Sequence, residues 1–149
     1  MPVHIMIAAA GIAAVFVIIL LTAHSIIHRR NRMDEMEGGE FEAFCAGLLE
    51  DAGFSEVEVT AASGDFGADI LCQKDGVTYA VQCKRYESMV GLHAVQEVYA
   101  AKDYYGCMVA AVMCNQYFTK PAVKMAGRLH VLLWDRDYIE EMESEAGER

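Results

Sequence analysis

The sequence lacks the short motifs that mark several large enzyme classes. It contains no GxxxxGK[ST] or GxGxxG phosphate loop, no GxSxG nucleophile elbow and no HExxH zinc motif. These absences remove the usual sequence evidence for a nucleotide-binding enzyme, an α/β-hydrolase or a zinc protease. The five cysteines, at positions 45, 72, 83, 107 and 114, show no CxxC spacing. Zinc is therefore not expected, and we interpret the thiols as reduced, small core residues.

Basic residues are scarce. The chain has 12 lysines and arginines against 22 acidic residues, a formal net charge of −10. The main affinity term of nucleic-acid binding is the neutralisation of phosphates by Lys and Arg. The overall charge therefore argues against strong non-specific DNA affinity, although it leaves room for a local basic patch.

Apolar residues are abundant, at 54% of the chain, and many of them lie in one N-terminal run. Residues 5–23, IMIAAAGIAAVFVIILLTA, carry no charge, and about 20 such residues span a bilayer as a helix. Arg29, Arg30 and Arg32 follow the run, and no basic residue precedes it. This pattern predicts a retained anchor rather than a cleaved signal peptide, with the rest of the chain in the cytoplasm.

The expected organisation follows from this anchor. We expect a transmembrane segment with a basic flank at residues 1–32, embedded through residues 5–27 as a single pass in the inner (cytoplasmic) membrane. Residues 33–39 are then a polar linker that ends in two flexible glycines. The remaining residues, 40–149, form the folded domain.

Hydrophobic periodicity predicts the elements of that domain. The predicted order is a helix that stops at Gly53, a strand at 56–60, a β-hairpin, a helix that stops at Gly106, a strand at 107–114, a helix capped by Thr119, a strand at 130–134 and an acidic helix. This order is typical of an α/β fold with a mixed sheet and helices on both faces.

The hairpin occupies residues 67–85. Its two runs meet at Asp75-Gly76, a strong signal for a two-residue type I′ turn. Pairing of Lys74 with Val77 would then fix every other cross-strand pair. A three-residue loop would shift the register by one residue and dissolve the arrangement described next.

In this register Asp69 faces Gln82, and Lys84 lies on the same face of the hairpin. The other face is wholly apolar and holds Ile70, Cys72, Val77, Tyr79, Val81 and Cys83. The oxygens of Asp69 and Gln82 can converge on a hard cation such as Mg²⁺. Alternatively, Asp69 and Lys84 form an ordinary cross-strand ion pair beside a solvated Gln82.

Three further acidic residues lie near this hairpin in the sequence pattern. Glu40 and Glu42 flank the apolar stripe of the first helix, so either reaches the margin of the site or merely favours the positive end of the helix dipole. Asp65 lies in the glycine-rich segment SGDFG, where it assists a metal or caps a turn. We interpret His93 and His130 as structural.

Five segments in collinear order carry a family resemblance: GGEFEAFCAGLLEDAGF, VEVTAASGDFGADIL, YAVQCKRY, VGLHAVQEVYAAKDYYG and NQYFTKPAVKMA before HVLLWDRD. Over residues 38–138 the chain resembles the catalytic domain of Mrr-type restriction endonucleases, a branch of the PD-(D/E)xK nuclease superfamily with QxK in place of the acidic-x-Lys element. One departure is Cys114, where relatives often have Thr before Asn115.

The resemblance implies a restriction-endonuclease-like mixed sheet and a site for Mg²⁺ or Mn²⁺. Asp69, Gln82 and the backbone carbonyl of Cys83 would bind the metal, and Asp65 is a weaker further candidate. Lys84 would orient or activate the attacking water and stabilise phosphate charge, while Glu42 would complete the catalytic set. The expected DNA phosphate contacts are Lys84, Arg85, Lys120 and Lys124.

The sequence thus predicts a membrane-anchored, metal-dependent DNA endonuclease that hydrolyses phosphodiester bonds and that can form a homo-oligomer. An alternative is a non-catalytic nuclease-fold module that binds DNA or a protein partner at the membrane. The acidic surplus and the anchor favour the module. The intact set of Asp69, Gln82 and Lys84 favours the enzyme.

Overall fold

The computed structural model describes residues 3–60 and 66–147, apart from the side chains of residues 3–10 and 25–31. The chain divides into two units, Met1–Glu35 and Met36–Arg149. The first unit is a single helix, α1 (Val3–Glu35). Its large apolar side chains between Ile12 and Leu21 are exposed.

The predicted membrane span receives no support from the described part of the chain. Among the residues whose side chains are described, no helix combines the length and the apolar character needed to cross a bilayer. The predicted segment 5–27 includes residues 5–10 and 25–27, whose side chains lie outside that description.

The second unit contains the helices and strands of the domain in the predicted order. They are α2 (Gly38–Asp51), β1 (Ser55–Val59), β2 (Ile70–Lys74), β3 (Val77–Lys84), α3 (Leu92–Tyr104), β4 (Val109–Cys114), α4 (Lys120–Leu129), β5 (Leu132–Trp134) and α5 (Arg136–Gly147). Because α1 ends at Glu35 and α2 begins at Gly38, the two glycines expected in a flexible linker are helical instead.

The five strands form one mixed sheet in the order β1-β2-β3-β4-β5. The pairs β1-β2 and β2-β3 are antiparallel, whereas β3-β4 and β4-β5 are parallel. Helices α2 and α5 contact each other, and α3 and α4 form a second contacting pair over the sheet. The expected α/β architecture, with helices on both faces, is confirmed.

The hairpin has the register that the Asp75-Gly76 turn predicts. Lys74 pairs with Val77 and Ile70 pairs with Val81. Asp75 and Gly76 have positive φ angles of 52° and 79°, as a type I′ turn requires at both central positions. The local turn therefore decides which side chains share a face of β3.

The ends of α2 explain two sequence signals. The Glu37 backbone N–H donates to the Glu40 carboxylate at 2.9 Å, so Glu40 caps the helix rather than reaching toward a site. At the other end Gly53 has a φ of +88°, and the Phe54 N–H donates to the Leu49 carbonyl. This is a Schellman motif, which is why the helix stops at this glycine.

Two predicted strands are shorter than expected at their N-terminal ends. The Cys107 N–H donates to the Lys102 carbonyl and completes the end of α3, so β4 begins at Val109. His130 ends α4 in the left-handed region with a φ of 54°, so β5 begins at Leu132. Helix termination therefore overrides the apolar pattern at both positions.

Candidate active site

Asp69 and Gln82 face each other at one end of the hairpin, and both are buried. The Gln82 Nε2 donates a hydrogen bond to Asp69 Oδ2 at 2.6 Å. The backbone N–H of Cys83 donates to the same oxygen, also at 2.6 Å. Hydrogen bonds to an ionised acceptor are short and roughly twice as strong as neutral ones. The Asp69 carboxylate is therefore fixed in orientation by β3.

The amide oxygen of Gln82 is a buried acceptor without a hydrogen-bond partner in the described part of the protein. Only 5% of Gln82 is exposed. A buried polar atom that makes no hydrogen bond costs about 1–3 kcal/mol, so native proteins retain very few of them. The suggestion that Gln82 is solvated is wrong, because its side chain is buried.

Lys84 contacts an acidic residue of α3. Its Nζ lies 2.9 Å from Oε2 of Glu97. Burial alone would lower the pKa of Lys84, but the hydrogen bond and the charge of Glu97 outweigh it, so this pKa is raised above its usual value. The ammonium group therefore stays protonated at neutral pH.

A shallow pocket joins Gln82 and Lys84 to the segment before β2. It has a volume of about 260 Å³ and is lined by Phe66, Gly67, Gln82, Lys84, Glu97 and Ala100. Gly67 has a φ of +90°, and a Cβ added there would lie 2.8 Å from the Glu97 carbonyl oxygen. Only glycine fits this position, because both the backbone angle and the approach of α3 exclude a side chain.

Cys83 lies between Gln82 and Lys84 in sequence, but its thiol points to the opposite face of the sheet. There it meets Cys45 of α2, and the hydrogen bond between the two thiols together with burial raises the Cys83 pKa well above its usual value. Glu42 is near enough to contribute to the same shift. Cys83 thus offers only its backbone to the site, and the described effect of Glu42 is on the Cys83 thiol rather than on the pocket.

The chain that leaves β3 is held by Asn115, which is fully buried at the end of β4. Its Oδ1 accepts from the Tyr86 N–H at 2.8 Å, and its Nδ2 donates to the Tyr86 carbonyl at 2.9 Å. A short parallel bridge between Val90 and Phe118 links the two loops farther along. These contacts fix the direction of the backbone directly after Lys84.

The other predicted site residues lie outside the pocket or outside the described residues. Asp65 belongs to segment 61–65, which lies outside the described residues, so its role stays a prediction from the sequence. Arg85 is half-buried directly after β3. Lys120 and Lys124 are exposed on α4, and the described lining of the pocket contains neither of them.

Glu97 and Asn115 were not predicted as site residues. Glu97 looks in the sequence like any exposed acid of an amphipathic helix, and no local signal links it to Lys84. Asn115 does carry a weak signal, because a fully polar residue directly after a buried strand needs hydrogen-bond partners. Both contacts depend on how α3 and β4 pack against β3.

The donor atoms suit a hard cation. Within the described ranges, no group of three or more His, Cys, Asp and Glu side chains is arranged to hold a metal ion. Two different types of oxygen donor lie close together, the carboxylate of Asp69 and the amide of Gln82. Mg²⁺ is bound through one or two carboxylates with other oxygens and several waters. The oxygen of Gln82, which has no partner among the residues that the structure describes and lies beside Asp69, fits such an ion.

A family model described as Mrr_cat, restriction endonuclease, matches residues 33–142. The chain belongs to the Mrr_cat restriction endonuclease family. The fold described above is therefore that of an Mrr_cat domain. Restriction endonucleases generally use divalent metal ions. No curated protein matches the chain significantly.

Solved structures share the fold of this Mrr_cat domain. A protein of unknown function, AF1548, has a TM-score of 0.58 at 22% identity, with 69% of this chain and 65% of that chain covered. The DNA modification-dependent restriction endonuclease AspBHI has a TM-score of 0.63 at 20% identity, covering 79% and 33%. The restriction endonuclease MspJI, in complex with a 27-mer oligonucleotide, has a TM-score of 0.60 at 17% identity, covering 80% and 30%. The chain thus spans about a third of the length of both restriction enzymes.

Proposed function

We propose that the chain is a metal-dependent DNA endonuclease that hydrolyses phosphodiester bonds at the cluster of Asp69, Gln82 and Lys84. The observation that carries the proposal is the buried Gln82 oxygen, which has no hydrogen-bond partner among the described residues and adjoins the Asp69 carboxylate. Burial of such an atom is unfavourable unless a ligand supplies the missing interaction. Mg²⁺ or Mn²⁺ is the proposed ligand.

The two oxygen donors have separate tasks in this proposal. Asp69 supplies the negative charge, and the donors from Gln82 and Cys83 hold one of its oxygens in place. Gln82 turns its own oxygen toward the ion while its nitrogen remains on Asp69. A divalent ion, when bound, lowers the pKa of a water and neutralises charge on the phosphate. The carbonyl of Cys83 is a proposed further ligand.

Lys84 acts in this mechanism as a fixed positive charge. Since its pKa is raised, it does not accept a proton from the attacking water at neutral pH. It can instead stabilise the negative charge that develops on the phosphate in a partly buried site, where such interactions are strong. The sequence-based hypothesis that Lys84 orients or activates the attacking water is kept in this proposal, with Lys84 acting as a cation.

DNA is the proposed substrate because of the family and the fold. AspBHI and MspJI are restriction endonucleases, and MspJI is in complex with an oligonucleotide. Lys84, Arg85, Lys120 and Lys124 are the proposed phosphate contacts, and Glu42 is proposed to complete the site from α2. With an overall charge of −10, we expect these few cations to give weak, salt-sensitive affinity.

Plasmid nicking by the full-length chain tests the proposal. Reactions contain Mg²⁺, Mn²⁺ or EDTA, and the variants are Asp69→Ala and Lys84→Ala. Asp103→Ala and Lys102→Ala are matched controls, because they make the same charge changes at a surface ion pair of α3. We expect metal-dependent nicking that both site variants lose and both controls keep. Nicking that persists in the two site variants would refute the assignment.

The non-catalytic module remains a second candidate, favoured by the Lys84–Glu97 ion pair. Glu97 already neutralises the cation of the QxK element in the absence of DNA. A module of this kind would bind DNA or a protein partner without cleaving it. DNA binding without nicking in either metal would select this function over the enzyme.

Membrane attachment and self-association remain predictions from the sequence. The exposed apolar side chains between Ile12 and Leu21 favour burial in a membrane, because large exposed apolar patches usually mark an interaction surface. We propose a single pass in the inner membrane with the nuclease domain in the cytoplasm. Membrane fractionation of the full chain, with Ile18→Lys as the disrupting variant, tests the location.

A further inference from the structure

Two exposed aromatic rings stack at the rim of the candidate site. The ring centroids of Phe66 and Tyr104 are 4.1 Å apart, and their planes are inclined by 26°. Nevertheless, 58% of Phe66 and 61% of Tyr104 are exposed. The stack therefore covers little of either ring, and it leaves a large apolar surface in water. Such surfaces on a folded protein usually mark a binding site.

The backbone holds Phe66 at this rim in an unfavourable conformation. Its φ is 49°, in the left-handed region that bulky side chains rarely adopt. The next residue, Gly67, is also left-handed, and the Glu97 carbonyl packs directly against it. Strain that persists at an exposed residue, with little burial to offset it, points to a function for that side chain.

The Phe66 ring borders the same pocket as Gln82 and Lys84. The pocket of about 260 Å³ is lined by Phe66 together with Gln82, Lys84 and Glu97. Its volume is below the ~300–1,000 Å³ of sites for drug-sized ligands. A group about as large as one nucleotide fits this scale, with its phosphate toward Lys84 and its base toward Phe66.

We propose that Phe66, supported from behind by Tyr104, stacks on an unpaired nucleobase next to the phosphate bound at Lys84. The inference rests on the proposed nuclease function and specifies its substrate as DNA with a locally unstacked strand. A base inside a duplex has both faces covered by its neighbours. Only an unstacked base can offer a face to an aromatic side chain, and such stacking tolerates any sequence.

Fluorescence anisotropy of the full-length chain measures this contact without cleavage when EDTA is present. The probes are a labelled single strand and the blunt duplex of the same sequence. We expect Phe66→Ala to weaken single-strand binding about tenfold and to leave duplex binding unchanged, whereas Phe66→Trp keeps wild-type affinity. Tyr138→Ala is the matched control, because Tyr138 of α5 is 44% exposed and stacks on Trp134 at the end of β5.

The outcomes separate this inference from the proposed function. Wild-type nicking of plasmid, combined with equal single-strand affinity of wild type and Phe66→Ala, overturns the stacking contact and leaves the nuclease intact. Equal loss of single-strand and duplex binding in Phe66→Ala also overturns it, because the effect is then not specific to an unpaired base. A wild-type chain that neither binds nor nicks DNA refutes both.

Discussion

Lys84 and Glu97 form an ion pair, with 2.9 Å between Nζ and Oε2, that connects the end of β3 to the exposed side of α3. The contact raises the pKa of Lys84 against the opposing effect of burial. The ion pair also engages the ammonium group of Lys84, which contacts the phosphate in the proposed mechanism. Glu97 is thus a positioning residue for Lys84, and its own negative charge opposes the approach of DNA.

Glu97→Gln should change the pH dependence of cleavage. Without the glutamate charge, burial acts on Lys84 with less opposition, so the pKa of Lys84 falls. The decline of the cleavage rate at alkaline pH should therefore begin at a lower pH than in the wild type. We also expect the maximal rate to fall about tenfold or more, because Lys84 loses its orientation. Rates at saturating DNA between pH 7 and 10.5 measure both effects.

Asp103→Asn is the control for that experiment. It removes one negative charge from the same helix, where Asp103 pairs with Lys102. An alkaline decline at the same pH in Glu97→Gln and in the wild type would contradict the assigned role of Glu97.

Gly67→Ala should destabilise the domain more than the corresponding change at Gly53. Both glycines have a φ near +90°, but only at Gly67 would a Cβ collide, at 2.8 Å from the Glu97 carbonyl oxygen. The backbone angle alone costs about 1–2 kcal/mol for a residue with a side chain. We expect that loss at Gly53 and at least about 1 kcal/mol more at Gly67. Urea unfolding of both variants gives the comparison, and equal losses would refute the close packing of α3.

Asn115→Ala should lower both stability and activity. The substitution removes both hydrogen bonds to the Tyr86 backbone, which together are worth about 1–3 kcal/mol. The backbone after Lys84 also loses its support, so cleavage should fall even where the variant is fully folded. Gln116→Ala, one residue away, should stay within about 0.5 kcal/mol of the wild type in urea unfolding. Equal losses of stability in the two variants would contradict the role assigned to the two hydrogen bonds between Asn115 and the Tyr86 backbone.

The domain should lose stability above about pH 9 because of its buried thiols. Burial raises the pKa of Cys114 from its ordinary value of 9.0 to about 12. Between these values the unfolded chain has released the proton that the folded chain keeps, so the free energy of unfolding decreases as the pH rises. Urea midpoints at pH 8 and pH 10.5 measure the loss. Cys114→Ala should show a smaller decrease over the same range, and an unchanged decrease would exclude this thiol as a cause.

The hairpin was predictable because its information is local. Asp75 and Gly76 dictate the turn, and the turn dictates that Asp69 faces Gln82. The same holds for the ends of α2 and α4, where Gly53 and Thr119 act within one helical turn. The apolar run of β4 was equally clear, since that strand is buried on both faces.

The remainder of the site depends on contacts that no local pattern encodes. The rotation and height of α3 over the sheet decide which residue contacts Lys84, and the sequence alone does not distinguish Glu97 from Asp103, the two acids of that helix. The exposure of Phe66 was also not predicted, because it results from two successive left-handed residues and from the approach of the Glu97 carbonyl. Local signals thus place the proposed metal donors, while tertiary packing places the groups around them.

The two-residue turn also has a consequence for the order of folding. Asp69 and Gln82 are only 13 positions apart and are joined by one hairpin, and isolated hairpins form within about 1–10 μs. The hydrogen bonds between Asn115 and Tyr86 close a longer stretch of chain, with a separation of 29 positions. They can form only after β4 has aligned beside β3. We therefore expect the carboxylate and the amide to meet early, in a hairpin that is still loose. Mutations in the turn should then slow folding, whereas mutations at Asn115 should mainly accelerate unfolding.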